Sequence, residues 1–322
     1  MTQKEIAGAL NITQATVSMA LRGSPRISPA LREAVARLAA DSGYQPNIAG
    51  QMLRKKRTNV IGAILPRLTN LFYAELFQEV QKRLLPHGYM LYFSPASNRE
   101  ERARAIATLR QMCVAGVIGS TSACRELLEL RRTGTAVVLY GGNSRLDGVS
   151  QVLPDREAGA EMLIRHLLER GRRRIAYFGG NSPECGRYRA YRKVLGEAGL
   201  PALNIPFDTD SALDPAGVSA TLLDHLQRHP GIDAIFTHND ELAVAARRAI
   251  DIAGYSVPDD IALAGFDNIP YGMYMIPPLT TVEQPRGEIA EALIAELFAS
   301  LRDPSHHAFV SIPCRLVVRE ST

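Results

Sequence analysis

The chain has 322 residues, 46% of them hydrophobic and 22% charged, with a net charge of +4. That length and apolar content allow two or three domains with sizeable cores, and no apolar run approaches the ~20 residues that a membrane-spanning helix needs. The charge is uneven: residues 1–57 hold nine Lys and Arg against three acids, whereas residues 58–322 hold 28 against 30, so an anionic partner is expected for the N-terminal part alone.

The N-terminus is polar and shows no charged-then-apolar leader, so no export signal is expected. Cys113, Cys124, Cys185 and Cys314 are scattered, with no partner at metal-ligand spacing. A reduced, cytoplasmic protein without metal or cofactor fits this usage.

Three short helices are expected at the start. Thr2 with Glu5 three residues on makes a capping box, after which Ile6, Ala7 and Leu10 share one face. Asn11-Ile12 breaks that helix, and Thr13 caps a second one from Gln14 to about Arg22, burying Val17 and Leu21, with Gly23 at its end. Ser28-Pro29 starts a third, in which Leu31, Val35 and Leu38 recur at helical spacing. None is long enough to stand alone, but three can share one small core.

Helix, tight turn, helix is the arrangement whose second helix enters the major groove by its N-terminal side chains. The candidates for DNA contact are Thr13, Gln14, Ala15, Thr16, Ser18, Met19 and Arg22. Gln pairs bidentately with adenine, Ala touches a thymine methyl, and Thr and Ser hydroxyls suit phosphate oxygens. A plain packing bundle with polar outer faces is the competing reading, and the basic surplus disfavours it.

The segments IAGALNITQATVSMAL, RISPALREAV and GYQPNIAGQMLR resemble the LacI/GalR family of bacterial transcriptional regulators, and the resemblance runs on to the C-terminus. It implies a hinge helix after Tyr44-x-Pro46-Asn47 that orders when two subunits meet on DNA. Asn47 begins that hinge, Leu53 takes the position of a minor-groove wedge, and Lys55 with its basic neighbours Arg54, Lys56 and Arg57 lies close enough for phosphate contacts. Met19 stands where the family usually has Arg, so an Arg–guanine pair is ruled out there. Gly50 replaces the usual hinge Ala, at a cost of roughly 1 kcal/mol of helix propensity. The expected domains are residues 1–46 for DNA binding, 47–57 as hinge, and 58–322 as effector-binding and dimerisation core. Within the core, one subdomain spans about 58–156 and 286–313, the other about 157–285 and 314–322.

From Asn59 the pattern changes. NVIGAIL, YMLYFS, VAGVIGS, TAVVLY, RIAYFGG, DAIFTH and IALAGF are short apolar runs, with amphipathic stretches at 71–86, 98–111, 155–170, 185–198, 214–228 and 239–253 between most of them. Strand alternating with helix predicts parallel sheets covered on both faces, and the length suits two doubly wound units. The expected fold is therefore α/β: a three-helix, helix-turn-helix DNA-binding domain followed by a bilobed periplasmic-binding-protein-like core of two doubly wound parallel-sheet subdomains.

Ligands on such sheets bind beyond the carboxyl ends of the strands. The residues expected there are Asn70, Phe72, Tyr73, Tyr140, Arg187, Asn239, Asp240, Phe266 and Asp267. Aromatic faces beside bidentate polar groups suit a polyhydroxylated small molecule such as a sugar. The family's effector-site pattern has counterparts in Arg187-Tyr188-Arg189-Ala190-Tyr191, Asn239-Asp240 and Gly265-Phe266-Asp267. Each has a purely structural alternative: a helix cap for Asp240, a surface ion pair for Arg187, core packing for Phe72 and Tyr73. Asp155 is expected to cap a helix.

PPLTTVEQPRGEIAEALIAEL resembles the family segment that returns the chain to the first subdomain, and the helix after it implies a homodimer. No leucine heptads of the tetramer-forming kind follow. The implied partners are a near-palindromic double-stranded DNA operator, a carbohydrate-type effector and a second copy of the chain, with no membrane. A solute-binding protein of the same bilobed fold would lack the DNA-binding head. An enzyme would need a motif, and neither G-x-G-x-x-G nor G-x-x-x-x-G-K-[ST] occurs; His238 has no nearby nucleophile.

Overall fold

The computed structural model describes residues 1–21, 23–44, 58–67, 69–142, 145–207 and 215–322. Two compact units, Met1–Arg57 and Thr58–Thr322, make up the chain.

The first unit holds α1 (Gln3–Ala9), α2 (Gln14–Leu21) and α3 (Pro29–Asp41). Their starts are those the sequence prescribes. Glu5 N donates to Thr2 Oγ1 while the Glu5 carboxylate accepts from Thr2 N at 2.8 Å. Thr16 N donates to Thr13 Oγ1 at 3.1 Å, and Leu31 N to Ser28 Oγ at 3.4 Å. Asn11 and Gly23 make the breaks, at φ +50° and +68°, a region that Asn and Gly enter most readily. Ile6, Val17 and Val35 form the fully enclosed centre, with Ala7, Ala20, Ile27 and Ala39 around it. Ala20 takes the inner position of α2, and Leu21, four residues from Val17 and on the same side, is half-buried and packs at the edge of the cluster.

The second unit contains two α/β lobes. Lobe 1 begins β1 (Val60–Leu65), α4 (Leu71–Leu84), β2 (Met90–Pro95), α5 (Arg99–Gln111), β3 (Gly116–Ser120), α6 (Cys124–Arg132), β4 (Ala136–Tyr140) and β5 (Ser150–Asp155). The chain then builds lobe 2: α7 (Arg156–Glu169), β6 (Ile175–Gly179), α8 (Gly186–Glu197), β7 (Leu203–Pro206), α9 (Pro215–Arg228), β8 (Ala234–Thr237), α10 (Asp240–Ile252), β9 (Ala262–Ala264) and the short α11 (Tyr271–Tyr274). After β10 (Thr281–Glu283) it returns through α12 (Arg286–Arg302) to β11 (Phe309–Pro313) in lobe 1, and β12 (Arg315–Val317) pairs antiparallel with β10.

Sheet order is β11-β5-β4-β3-β1-β2 in lobe 1 and β7-β6-β8-β9 in lobe 2, all parallel. Each sheet is buried on both faces. In lobe 1, α4 and α12 cover one face through Leu76, Val80, Leu293 and Leu297, and α5 with α6 covers the other through Leu109 and Leu127. In lobe 2, α7 and α8 pack on one face and α9 and α10 on the other. This is why the strands read as continuous apolar runs rather than alternating ones. In each sheet the strand order reverses about its first strand, with β2 and β7 on the far side, so the crevice at the carboxyl ends opens beside β1 and β6. Among the described residues no helix is long and apolar enough to cross a membrane.

Candidate functional site

In the first unit, Thr13, Gln14 and Ala15 are exposed at the start of α2, and Thr16 and Ser18 are half-buried. Thr13 and Thr16 are partly committed to each other, their hydroxyls 2.8 Å apart. Met19 packs on the three-helix core as well as reaching the surface. Gln14 and Ala15 therefore stand out as the unencumbered side chains of that turn. Arg22, Asn47, Leu53 and Lys55, with the rest of the expected hinge at 47–57, lie outside the described residues.

In the second unit, a cavity of about 410 Å³ opens between the lobes at the carboxyl ends of β1, β3, β4, β6 and β8. Of the nine residues expected to meet there, Asn70, Phe72, Tyr73, Tyr140, Arg187, Asn239 and Asp267 line it. Asp240 and Phe266 do not: both are fully buried beneath its wall. Asp240 accepts from Ile269 N at 2.8 Å and Thr281 Oγ1 at 2.6 Å, and burial pushes its carboxyl up to about 8. Phe266 lies under the Arg187 guanidinium, 4.2 Å from ring centroid to carbon, and so supports a lining residue without lining.

The aromatic wall comes from lobe 1. Phe72 and Tyr140 stack at 6.4 Å, and Tyr73 meets both edge-on. Phe72 and Tyr140 are 2% and 1% exposed, so Tyr73, half-buried, offers most of the ring surface. The core-packing role weighed for Phe72 is thus real and coexists with lining.

The polar wall comes largely from helix starts in lobe 2. Asn239 caps α10, its Oδ1 accepting from Leu242 N at 2.9 Å, and its Nδ2 donates to nothing among the described residues. Asp267 Oδ1 accepts from Gln284 Nε2 at 2.5 Å and Arg187 Nη2 at 3.3 Å, leaving Oδ2 with no donor among the described residues. Its backbone is strained: Asp267 and Asn268 have φ +111° and +52°, and Arg286 Nη1 holds both carbonyls at 3.1 Å.

Arg187 also donates to His238 Nε2 at 3.2 Å, while His238 Nδ1 lies 2.8 Å from Tyr177 Oη. A guanidinium only donates, so Nε2 accepts and Nδ1 carries the proton. Burial, together with Arg187, holds this imidazole neutral, its pKa well below the usual value. His238 is thereby an orienting acceptor for Arg187, not a poised base.

Three residues that sequence reasoning missed, Arg156, Gln284 and Arg67, complete the wall. Arg156 opens α7, donating from Nε to Gln284 Oε1 at 3.0 Å and from Nη2 to Tyr140 Oη at 3.2 Å. Gln284 follows β10 and is 1% exposed. Arg67 follows β1 and bonds Glu241 at 3.2 Å, and Glu241 also accepts from Leu71 N at 3.3 Å. The signal for Arg156 was the same strand-end rule that found the others, but β5 was not recognised as a strand.

The model for bacterial regulatory proteins of the lacI family matches residues 2–47, and that for the periplasmic binding protein-like domain matches residues 164–322. The chain is 31% identical over 328 residues to the ribose operon repressor of Halalkalibacterium halodurans, spanning 100% of this chain and 97% of that protein. It is 31% identical to the HTH-type transcriptional regulator DegA of Bacillus subtilis, over 99% of this chain and 97% of that one. The structure of a LacI family transcriptional regulator from Lactobacillus casei with bound sucrose is 26% identical with a TM-score of 0.72, covering 82% of this chain and 99% of that chain. With a DNA-reading head, a cleft between two parallel-sheet lobes and this likeness over nearly its full length, the chain belongs to the lacI family of bacterial regulatory proteins, transcriptional regulators that bind DNA.

Proposed function

We propose that the chain is a cytoplasmic homodimeric repressor whose operator affinity is set by a polyhydroxylated small molecule held between the lobes of residues 58–322. The observation that carries this reading is the pairing of Asp267 Oδ2 and Asn239 Nδ2, each without a protein partner among the described residues, beside the Tyr73 face. A carboxylate oxygen and an amide donor beside an aromatic face suit adjacent hydroxyls on a ring with an apolar side. The cavity volume falls in the usual range for small ligands. Two heads, residues 1–46 of each subunit, would read half-sites of a near-palindrome about one helical turn apart. Arg22 would add to that contact, and the hinge at 47–57 would start at Asn47, insert Leu53 in the minor groove and bring Lys55 to phosphate. The chain would act by binding and not by turnover.

The test is a thermal-shift screen of pentoses, hexoses, disaccharides and their derivatives against the wild type and Asp267→Ala. One ligand class should raise the melting temperature of the wild type and leave that of Asp267→Ala unmoved. An equal rise in the variant would remove Asp267 from the site.

A further inference from the structure

Three arginines line the cavity, and they are not equivalent. Arg187 is paired with Asp267 at 3.3 Å and Arg67 with Glu241 at 3.2 Å. Arg156 is paired with no carboxylate among the described residues: its acceptors are the Tyr140 hydroxyl and the Gln284 amide oxygen. Neither acceptor can take on the missing charge. Burial pushes the Tyr140 hydroxyl further up from an already basic value, so it stays neutral, and an amide does not ionise. The Gln284 amide is locked in its orientation, since Oε1 receives Arg156 while Nε2 donates to Asp267.

The guanidinium is itself held in place. It lies over the Tyr140 ring at 5.5 Å and against Gly141, where an added Cβ would stand 3.2 Å from Nη2 and 3.3 Å from Nη1. Nη1 makes no hydrogen bond among the described residues. Among the described residues the acids on the wall are Asp267, which acts on Arg156 through space but makes its hydrogen bonds to Gln284 and Arg187, and Glu184, which is exposed. Arg156 is a half-buried cation whose hydrogen-bond acceptors are all neutral, an arrangement that favours a group of opposite charge joining it.

We infer that the ligand carries an anionic group, a carboxylate or a phosphate, beside its hydroxyls, and that Arg156 binds it. This rests on the reading of the cleft as a polyhydroxylated-ligand site and names the ligand's charge within it. Guanidinium donors suit both anions, so the two sources are separated by experiment.

Full-length protein is titrated calorimetrically with matched sets: a neutral sugar, its uronic or aldonic acid, and its terminal phosphate. An acidic or phosphorylated member should bind at least tenfold more tightly than its neutral partner, and which of the two does so identifies the anion. Arg156→Gln should collapse that ratio towards unity, while Arg156→Lys, which keeps the charge, should retain a preference for the anion at weaker affinity. Should Arg156→Gln not fold, Arg156→Lys and the salt dependence of wild-type binding carry the same test. Equal binding of neutral and charged partners would overturn the inference and leave the sugar site standing. A preference undiminished in both variants would overturn the assignment to Arg156. Failure of every member to bind would overturn the cleft reading and the inference with it.

Discussion

Asp240 opens α10, Asp267 lies on the loop after β9, both are buried, and they do different work. Asp267 turns to the cavity. Asp240 turns inward, where it ties Thr281 and Ile269 to the start of α10. Gly265 is required beside it, because a Cβ there would collide with Asp240 Oδ1 and come 2.9 Å from Leu279. Burial raises the Asp240 carboxyl from 3.8 to about 8. The folded chain therefore holds a proton that the unfolded chain releases between those values, and this group's contribution to stability declines as pH rises through that window and is lost above it. Asp240→Asn keeps the shape: its amide oxygen accepts from Ile269 N and its amide nitrogen donates to Thr281. In urea denaturation, the variant should gain on the wild type between pH 5 and pH 8. Curves that run parallel across that range would show that Asp240 is ionised throughout.

The starts of α4 and α10 form a clasp across the cleft. Glu241, in the first turn of α10, reaches from lobe 2 to Leu71 N at 3.3 Å, Asn70 Nδ2 at 3.4 Å and Arg67 at 3.2 Å, all in lobe 1. Both charged side chains are well shielded, at 13% and 18% exposure, so this is not a surface pair of negligible worth. Glu241→Ala should cost about 1–3 kcal/mol, because it leaves those donors without an acceptor. An unchanged denaturation midpoint would mean that water replaces the carboxylate at no loss.

These junctions also show what sequence patterns convey. Seven strands and six helices of the core announced themselves by apolar runs and amphipathic spacing, and the three head helices by their caps. β5 did not, because Ser150-Gln151 and Pro154 look like loop. Its polar groups are buried and satisfied by long-range partners, with Gln151 Nε2 donating to Gly141 O at 2.9 Å and Ser150 Oγ to Glu296 at 3.0 Å, which no local pattern records. β7, β11 and the β10–β12 pair are short or at sheet edges, where apolar content is low. α6 is only nine residues, too short for its Leu127 and Leu130 to make a sustained repeat. Strand ends gave seven of the lining residues, while Arg156 and Gln284 stayed hidden because they follow strands that lack the signal.

The molecule joins a basic DNA-reading unit to a core that can hold a small ligand, and its regulation needs the two to share free energy. A ligand shifts operator binding only by the difference in its affinity for the DNA-competent and DNA-incompetent states. Typical couplings of about 1–3 kcal/mol change affinity roughly 5- to 150-fold, and the effect is reciprocal. The most direct measurement is a paired titration: operator affinity of the full chain with and without saturating ligand, and ligand affinity with and without saturating operator. The account predicts that both affinities change, by the same factor and in the same direction. Operator affinity that is indifferent to a ligand bound in the cleft would contradict it.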